Sequence, residues 1–207
     1  MNDKYPARHI AEEELMNAGR MNPGLWIGHS RYVAKACQII AGLTDTMDEE
    51  KAYILGLMHD IGRRVGIVSE RHLIEGYKYC KSKGWEDTAK ICITHSFMIQ
   101  DTKTSIGKWD VPEEEYIFMR DFVASARYDD YDLLIQLGDN LALATGFCLL
   151  EKRFVDTTRR YGVNEYTVAR WNRVFEIKEH FEKLIGTSVY QVLPGVKENT
   201  FDEKKEP

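Results

Sequence analysis

The sequence predicts an all-α fold, a helical bundle, and three observations predict it. Apolar residues recur at the 3.6-residue helical period through most of the chain, strand-like alternation is scarce, and only 5 prolines interrupt 207 residues. No segment asks for a sheet. With 43% hydrophobic and 29% charged residues the composition is that of a globular chain with a proper core, which excludes an intrinsically disordered one. The length fits one domain better than two. Residues 1–192 are therefore read as a single helical domain.

The elements follow in order. Pro23-Gly24 precede a helix over residues 25–43 that carries His29, Val33, Ala36 and Ile40. Thr46-Met47-Asp48-Glu49 has the form of a capping box, and Ala52, Leu55 and His59 then recur at helical spacing until about Gly62. Ser69 is a candidate N-cap for a helix reaching about Gly84, and Glu86-Asp87 supply an acidic first turn for another through about Phe97. Pro112 with Glu113, Glu114 and Glu115 opens a helix bearing Tyr116, Met119, Phe122, Val123 and Ala126 on one face. Asp129-Asp130 start the next, with Leu134, Leu137, Gly138 and Leu141 in register. Asn164 caps a long helix whose buried stripe is Val168, Trp171, Phe175, Phe181, Leu184 and Ile185. Pro194-Gly195 and the polar run over 197–207 make residues 193–207 a tail of disorder-prone composition.

A formal charge of −5 argues against a protein built to embrace nucleic acid or an anionic membrane. No apolar run reaches the roughly 20 residues needed to cross a bilayer. The start Met1-Asn2-Asp3-Lys4-Tyr5 lacks the basic-then-apolar pattern of an export signal, so a soluble cytoplasmic protein is expected. Cys37, Cys80, Cys92 and Cys148 have no C-x-x-C spacing and are expected to be buried thiols.

Four of the six histidines, His29, His59, His72 and His95, fall on four successive predicted helices, an arrangement a bundle can bring to one point. His59-Asp60 interrupts the apolar run Leu57-Met58-His59-Asp60-Ile61-Gly62. A carboxylate there must be neutralised, hydrogen-bonded or bound to a cation. Metal ligation satisfies both neighbours at once; a capping aspartate beside a hydrogen-bonded histidine is the alternative. Asp139 is likewise embedded, in Leu137-Gly138-Asp139-Asn140-Leu141, and Gly138 permits close helix approach beside it.

These residues resemble the HD superfamily of metal-dependent phosphohydrolases. The pattern H…HD…D is matched by His29, His59-Asp60 and Asp139, with Trp26-Ile27-Gly28-His29-Ser30 and His59-Asp60-Ile61-Gly62 as flanking text, over residues 20–145. The resemblance implies an HD-domain helical bundle whose metal ligands are these four. His72 and His95 lie in the order of the two extra histidines that some members use for a second ion, which implies a dinuclear site bridged by Asp60. The sequence departs from members carrying HD-x-x-E-D, since those acidic positions are Arg63 and Arg64. It also lacks the GYP motif and double histidine of cyclic-di-nucleotide phosphodiesterases.

Mixed imidazole and carboxylate ligation suits two divalent ions among Fe, Mn, Co, Ni and Zn better than Mg. Two such ions against two aspartates leave about two positive charges, which a phosphate would balance. The resemblance thus implies hydrolysis of a phosphate ester or anhydride of a nucleotide or other small phosphorylated metabolite by a metal-bridging hydroxide. Asp60 is the expected catalytic ligand and Arg63 the first candidate for a phosphate contact, ahead of Arg64, Arg31, Lys35, Ser96 and Asn140. Trp26 and Trp109 are candidates for stacking on a base. The scaffold also serves di-iron oxygenases, and a non-catalytic metal or nucleotide sensor is the third reading.

Overall fold

The computed structural model describes residues 4–201. Lys4 and Tyr5 are all that is described of the segment on which the export-signal expectation rests, and residues 202–207 of the expected tail lie outside the described residues. The helices are α1 (Arg8–Met21), α2 (Trp26–Ala41), α3 (Glu49–Met58), α4 (Arg71–Ser82), α5 (Glu86–Thr94), α6 (Glu113–Ser125), α7 (Asp130–Leu141), α8 (Leu150–Tyr161), α9 (Thr167–Ile185), α10 (Val189–Val192) and α11 (Val196–Phe201). No helix among the described residues is long and apolar enough to cross a membrane.

Helix α3 is the centre of the molecule. Ala52 through Met58 are all buried, so it is apolar on every side, as a helix enclosed by others must be. It starts at Asp48, whose carboxylate accepts from the backbone N–H groups of Glu50 and Lys51, at 2.8 and 3.1 Å. The expected capping box at Thr46 is therefore displaced: a carboxylate two residues nearer the helix offers the stronger acceptor to the free amides. Helices α2 and α7 flank α3, and the largest apolar cluster joins them to α9 through Val33, Ile40, Leu134, Leu141, Val174 and Phe181. A second cluster packs α1 on α3, and a third joins α4, α5 and α6.

Other expectations are corrected in detail. Helix α3 ends at Met58, and after His59 and Asp60 a 3₁₀ turn covers Ile61–Val65, closed by Gly66 at φ 123°. Ser69 does not cap α4, which begins after Glu70 without a side-chain cap; the Ser69 hydroxyl instead accepts from the amide of Lys108. Asn164 accepts from the amide of Tyr166, ahead of α9, and Val168 and Leu184 face solvent, while Val174, Ile177 and Phe181 form the buried stripe. A short antiparallel hairpin, β1 (Ala142–Leu143) and β2 (Gly146–Phe147), follows α7 where no strand was expected. Its two residues per strand are too few to leave an alternating pattern. Residues 196–201 are a helix and not a loose tail, because Val196 and Asn199 bury against the hairpin, with Asn199 Nδ2 donating to the Phe147 carbonyl at 3.0 Å. The four cysteines are buried free thiols, and Cys80 Sγ lies 3.9 Å from Cys92 Sγ.

Candidate metal centre

The C-terminal ends of α3, α5 and α7 meet the start of α4 and the first turns of α2, and all six expected ligands arrive there. His59 follows the last residue of α3, and Asp60 adopts φ −101°, ψ 14° in the sparsely used region where helical winding gives way to the 3₁₀ turn. Two consecutive side chains thus face one space.

Three imidazoles are oriented by their own backbone. His59 Nδ1 bonds the Gly56 carbonyl at 2.7 Å, His72 Nδ1 the Ser69 carbonyl at 2.5 Å, and His95 Nδ1 the Ile91 carbonyl at 3.0 Å. A carbonyl only accepts, so each Nδ1 is the donor, and the neutral ring keeps its lone pair on Nε2. All three are buried. Burial lowers the pKa of His59 and takes that of His95 down to about 3, so both rings are neutral near pH 7.

Asp60 gathers these nitrogens. Its Oδ1 lies 3.2 Å from His72 Nε2 and 3.7 Å from His95 Nε2, and its Oδ2 lies 3.8 Å from His59 Nε2. Oδ2 accepts from Arg63 Nε at 2.6 Å. Burial opposes its charge, but Arg63, His59 and His72 prevail and hold the carboxyl well below its usual range. On the other side of His59, His29 Nε2 donates to Asp139 Oδ1 at 2.8 Å. Burial opposes ionisation at Asp139 too, and the hydrogen bond from His29 with the charge of Arg153 outweighs it.

Ligand atoms of His29, His59 and Asp139 all fall within 4.8 Å of one another, as do those of His59, Asp60 and His95. His59 belongs to both trios, whereas His72 joins through Asp60. His59 Nε2 and Asp60 Oδ1 are buried and have no hydrogen-bond partner. A lone pair and a carboxylate oxygen left unpaired side by side are costly unless a cation accepts both, so the residues present fit a divalent metal ion.

The helices around the centre fix these side chains. Gly62 sits so close to α4 that a Cβ would lie 1.9 Å from the His72 carbonyl oxygen and 2.4 Å from the Gly76 nitrogen; no side chain fits there. Gly138 likewise lets α7 reach α2, where a Cβ would lie 2.6 Å from Cys37 Sγ. Asn22 Nδ2 donates to the carbonyls of Arg63 and Gly66 and pins the 3₁₀ turn. Asp132, Gln136 and Asp139 occupy one stripe of α7 at helical spacing. Gln136 Nε2 donates to the carbonyls of Thr94 and Phe97 on either side of His95, and Asp132 accepts from Thr94 and Lys90.

Among the weaker candidates, Arg64 is directed elsewhere: it lies over the Tyr79 ring at 3.8 Å and pairs with Glu14. Asn140 Nδ2 donates to the Gln136 carbonyl within α7. Trp26 donates to the Asn22 carbonyl and packs on the second apolar cluster, and Trp109 stacks on Phe97 within the third, so both rings serve the core. Sequence reasoning missed Arg153 on α8, whose Nη2 lies 3.3 Å from Asp139 Oδ1. Arg153 stands in an ordinary amphipathic helix, with no motif around it to mark it. The polar stripe of α7 was missed as well, although the spacing of Asp132, Gln136 and Asp139 at i, i+4 and i+7 is the signal that marks it.

A family model described as HD domain matches residues 26–143. No curated protein and no solved structure matches the chain.

Proposed function

Because the chain belongs to the HD domain family, we propose that it is a metal-dependent phosphohydrolase acting on a phosphate ester or anhydride of a nucleotide or other small phosphorylated metabolite. That family consists mostly of metal-dependent phosphohydrolases. The observation that carries the reading to this chain is the pair of adjacent, buried and unpartnered atoms, His59 Nε2 and Asp60 Oδ1. In the proposal His29, His59, Asp60 and Asp139 hold one divalent transition-metal ion, and His72 and His95 with Asp60 hold a second. Ions so held lower the pKa of water and offset charge on phosphoryl oxygens.

The chain's own residues do the rest. Backbone carbonyls of Gly56, Ser69 and Ile91 keep three imidazoles in the tautomer that ligation needs. Arg63 orients Asp60 through Nε, and its side chain, 28% exposed, keeps donors for a phosphoryl oxygen. Burial of His59, Asp60, His72 and His95 limits competing water.

Elemental analysis of the purified protein, followed by a phosphatase and phosphodiesterase panel, tests the proposal. The expected result is two transition-metal ions per chain, phosphate or nucleotide release, and loss of both in Asp60→Ala. Iron with oxygen consumption and no phosphate release would overturn it in favour of an oxygenase. Tight nucleotide binding without turnover under every metal tried would overturn it in favour of a sensor.

A further inference from the structure

Resting on the phosphohydrolase reading, the geometry points to Arg153 as the residue that binds a second phosphoryl group of the substrate, so that the site selects phosphoanhydrides over simple monoesters. Arg153 lies on α8, outside the residues that the family model matches. Its side chain is 17% exposed and reaches Asp139 Oδ1 at 3.3 Å, an oxygen already served by His29 at 2.8 Å. Its Nη1 is 3.9 Å from Asp156 Oδ2, too far for a hydrogen bond. Among the described residues its guanidinium makes no other side-chain hydrogen bond, so most of its five donors are uncommitted beside the ligand cluster.

Arg153 and Arg63 engage different carboxylates of that cluster. The rings of His29, His59 and His95 form a row with successive centroid separations of 5.4 and 4.9 Å. Arg153 engages the carboxylate at the His29 end, and Arg63 engages the one at the His95 and His72 end. With neutral imidazoles, two guanidiniums already cancel the two aspartates. Every divalent ion the site holds is then uncompensated by protein charge, and the substrate must supply the balance. A monoester brings about two negative charges, enough for one ion, whereas adjoining phosphoryl groups bring more and present oxygens to both arginines.

Calorimetric titration of the purified metal-containing protein with methylphosphonate and with methylenediphosphonate tests this, alongside Arg153→Gln and Arg153→Lys. Metal content is measured before and after each titration. The expected result is that Arg153→Gln weakens the diphosphonate at least tenfold and methylphosphonate less than threefold, with metal unchanged, and that Arg153→Lys falls between. Equal weakening of both ligands, or none, would overturn the assignment. Loss of metal from Arg153→Gln would also overturn it, making Arg153 a positioning residue for Asp139, as would extraction of metal from the wild-type protein by the diphosphonate. Wild-type protein that binds neither phosphonate and releases no phosphate defeats the phosphohydrolase reading itself; unaltered binding by the variants defeats Arg153 alone.

Discussion

The two sides of the centre are held by different means. At His59, His72 and His95 each ring is tied to a carbonyl three or four residues back in its own chain, so local winding sets its direction. At His29 and Asp139 the ring and carboxylate hold each other across α2 and α7, with Arg153 from α8 as the third member. The first arrangement depends on segments folding correctly, the second on their packing. A hydrogen-bonded pair with no backbone brace is the side more easily displaced, and His59, common to both trios, couples the two.

Several substitutions would sharpen or break this contrast. Asp60→Asn is expected to have the largest effect, removing all bound metal by elemental analysis because Asp60 serves both proposed ions; retention of one ion would show that the two are held independently. Gly62→Ala should destabilise by about 3 kcal/mol, since backbone atoms of α4 at His72 and Gly76 leave a methyl no room. For a chain of this size that lowers the midpoint of thermal unfolding by roughly 6–12 °C, and an unchanged midpoint would contradict the contact. His29→Gln and His95→Gln are each expected to cost about one ion. His29→Gln should also loosen the contact of α2 with α7, read as faster amide exchange there, whereas His95→Gln should leave exchange in α5 unaltered. Gln136→Ala removes one of two donors from each of the carbonyls of Thr94 and Phe97, which keep the Phe97 amide and the Tyr128 hydroxyl, and should cost about 1 kcal/mol, with metal content falling less than in either histidine variant.

The metal-stripped protein should also lose stability in acid. His95 is lowered from 6.5 to about 3 in the fold, chiefly by burial. The unfolded chain therefore binds a proton in this window that the native one refuses, and stability is lost as pH falls from about 6.5 toward 3. Asp60 and Asp139 are depressed carboxylates, whose contribution is present above their unfolded pKa of about 3.9 and is lost below it. A scan of unfolding midpoints should thus decline in two stages, and His95→Gln should flatten the upper one.

Most of the core and the six clustered residues were legible because they follow rules of short range. Pro112, Asp129 and the apolar positions of α7 announce their helices, and His59-Asp60 stands out as polarity within an apolar run. Where two acceptors lie close together the sequence reading chose the wrong one: Thr46 was expected to cap α3, and Asp48 does. Contacts made between segments left no local trace. Arg153 is one such case, and the docking of Asn199 on the hairpin is another, since nothing near residue 199 foretells that Phe147 will be its partner.

That docking has a consequence for the chain as a whole. Thr145 and Phe147 grip Asn199, and they lie in the bend that joins the helix of Asp139 to the helix of Arg153. The far end of the polypeptide thereby buttresses the shoulder of the centre that lacks a main-chain brace. Changes over residues 144–201 can thus shift Asp139 and Arg153 from a distance while His59, Asp60, His72 and His95 keep their own supports.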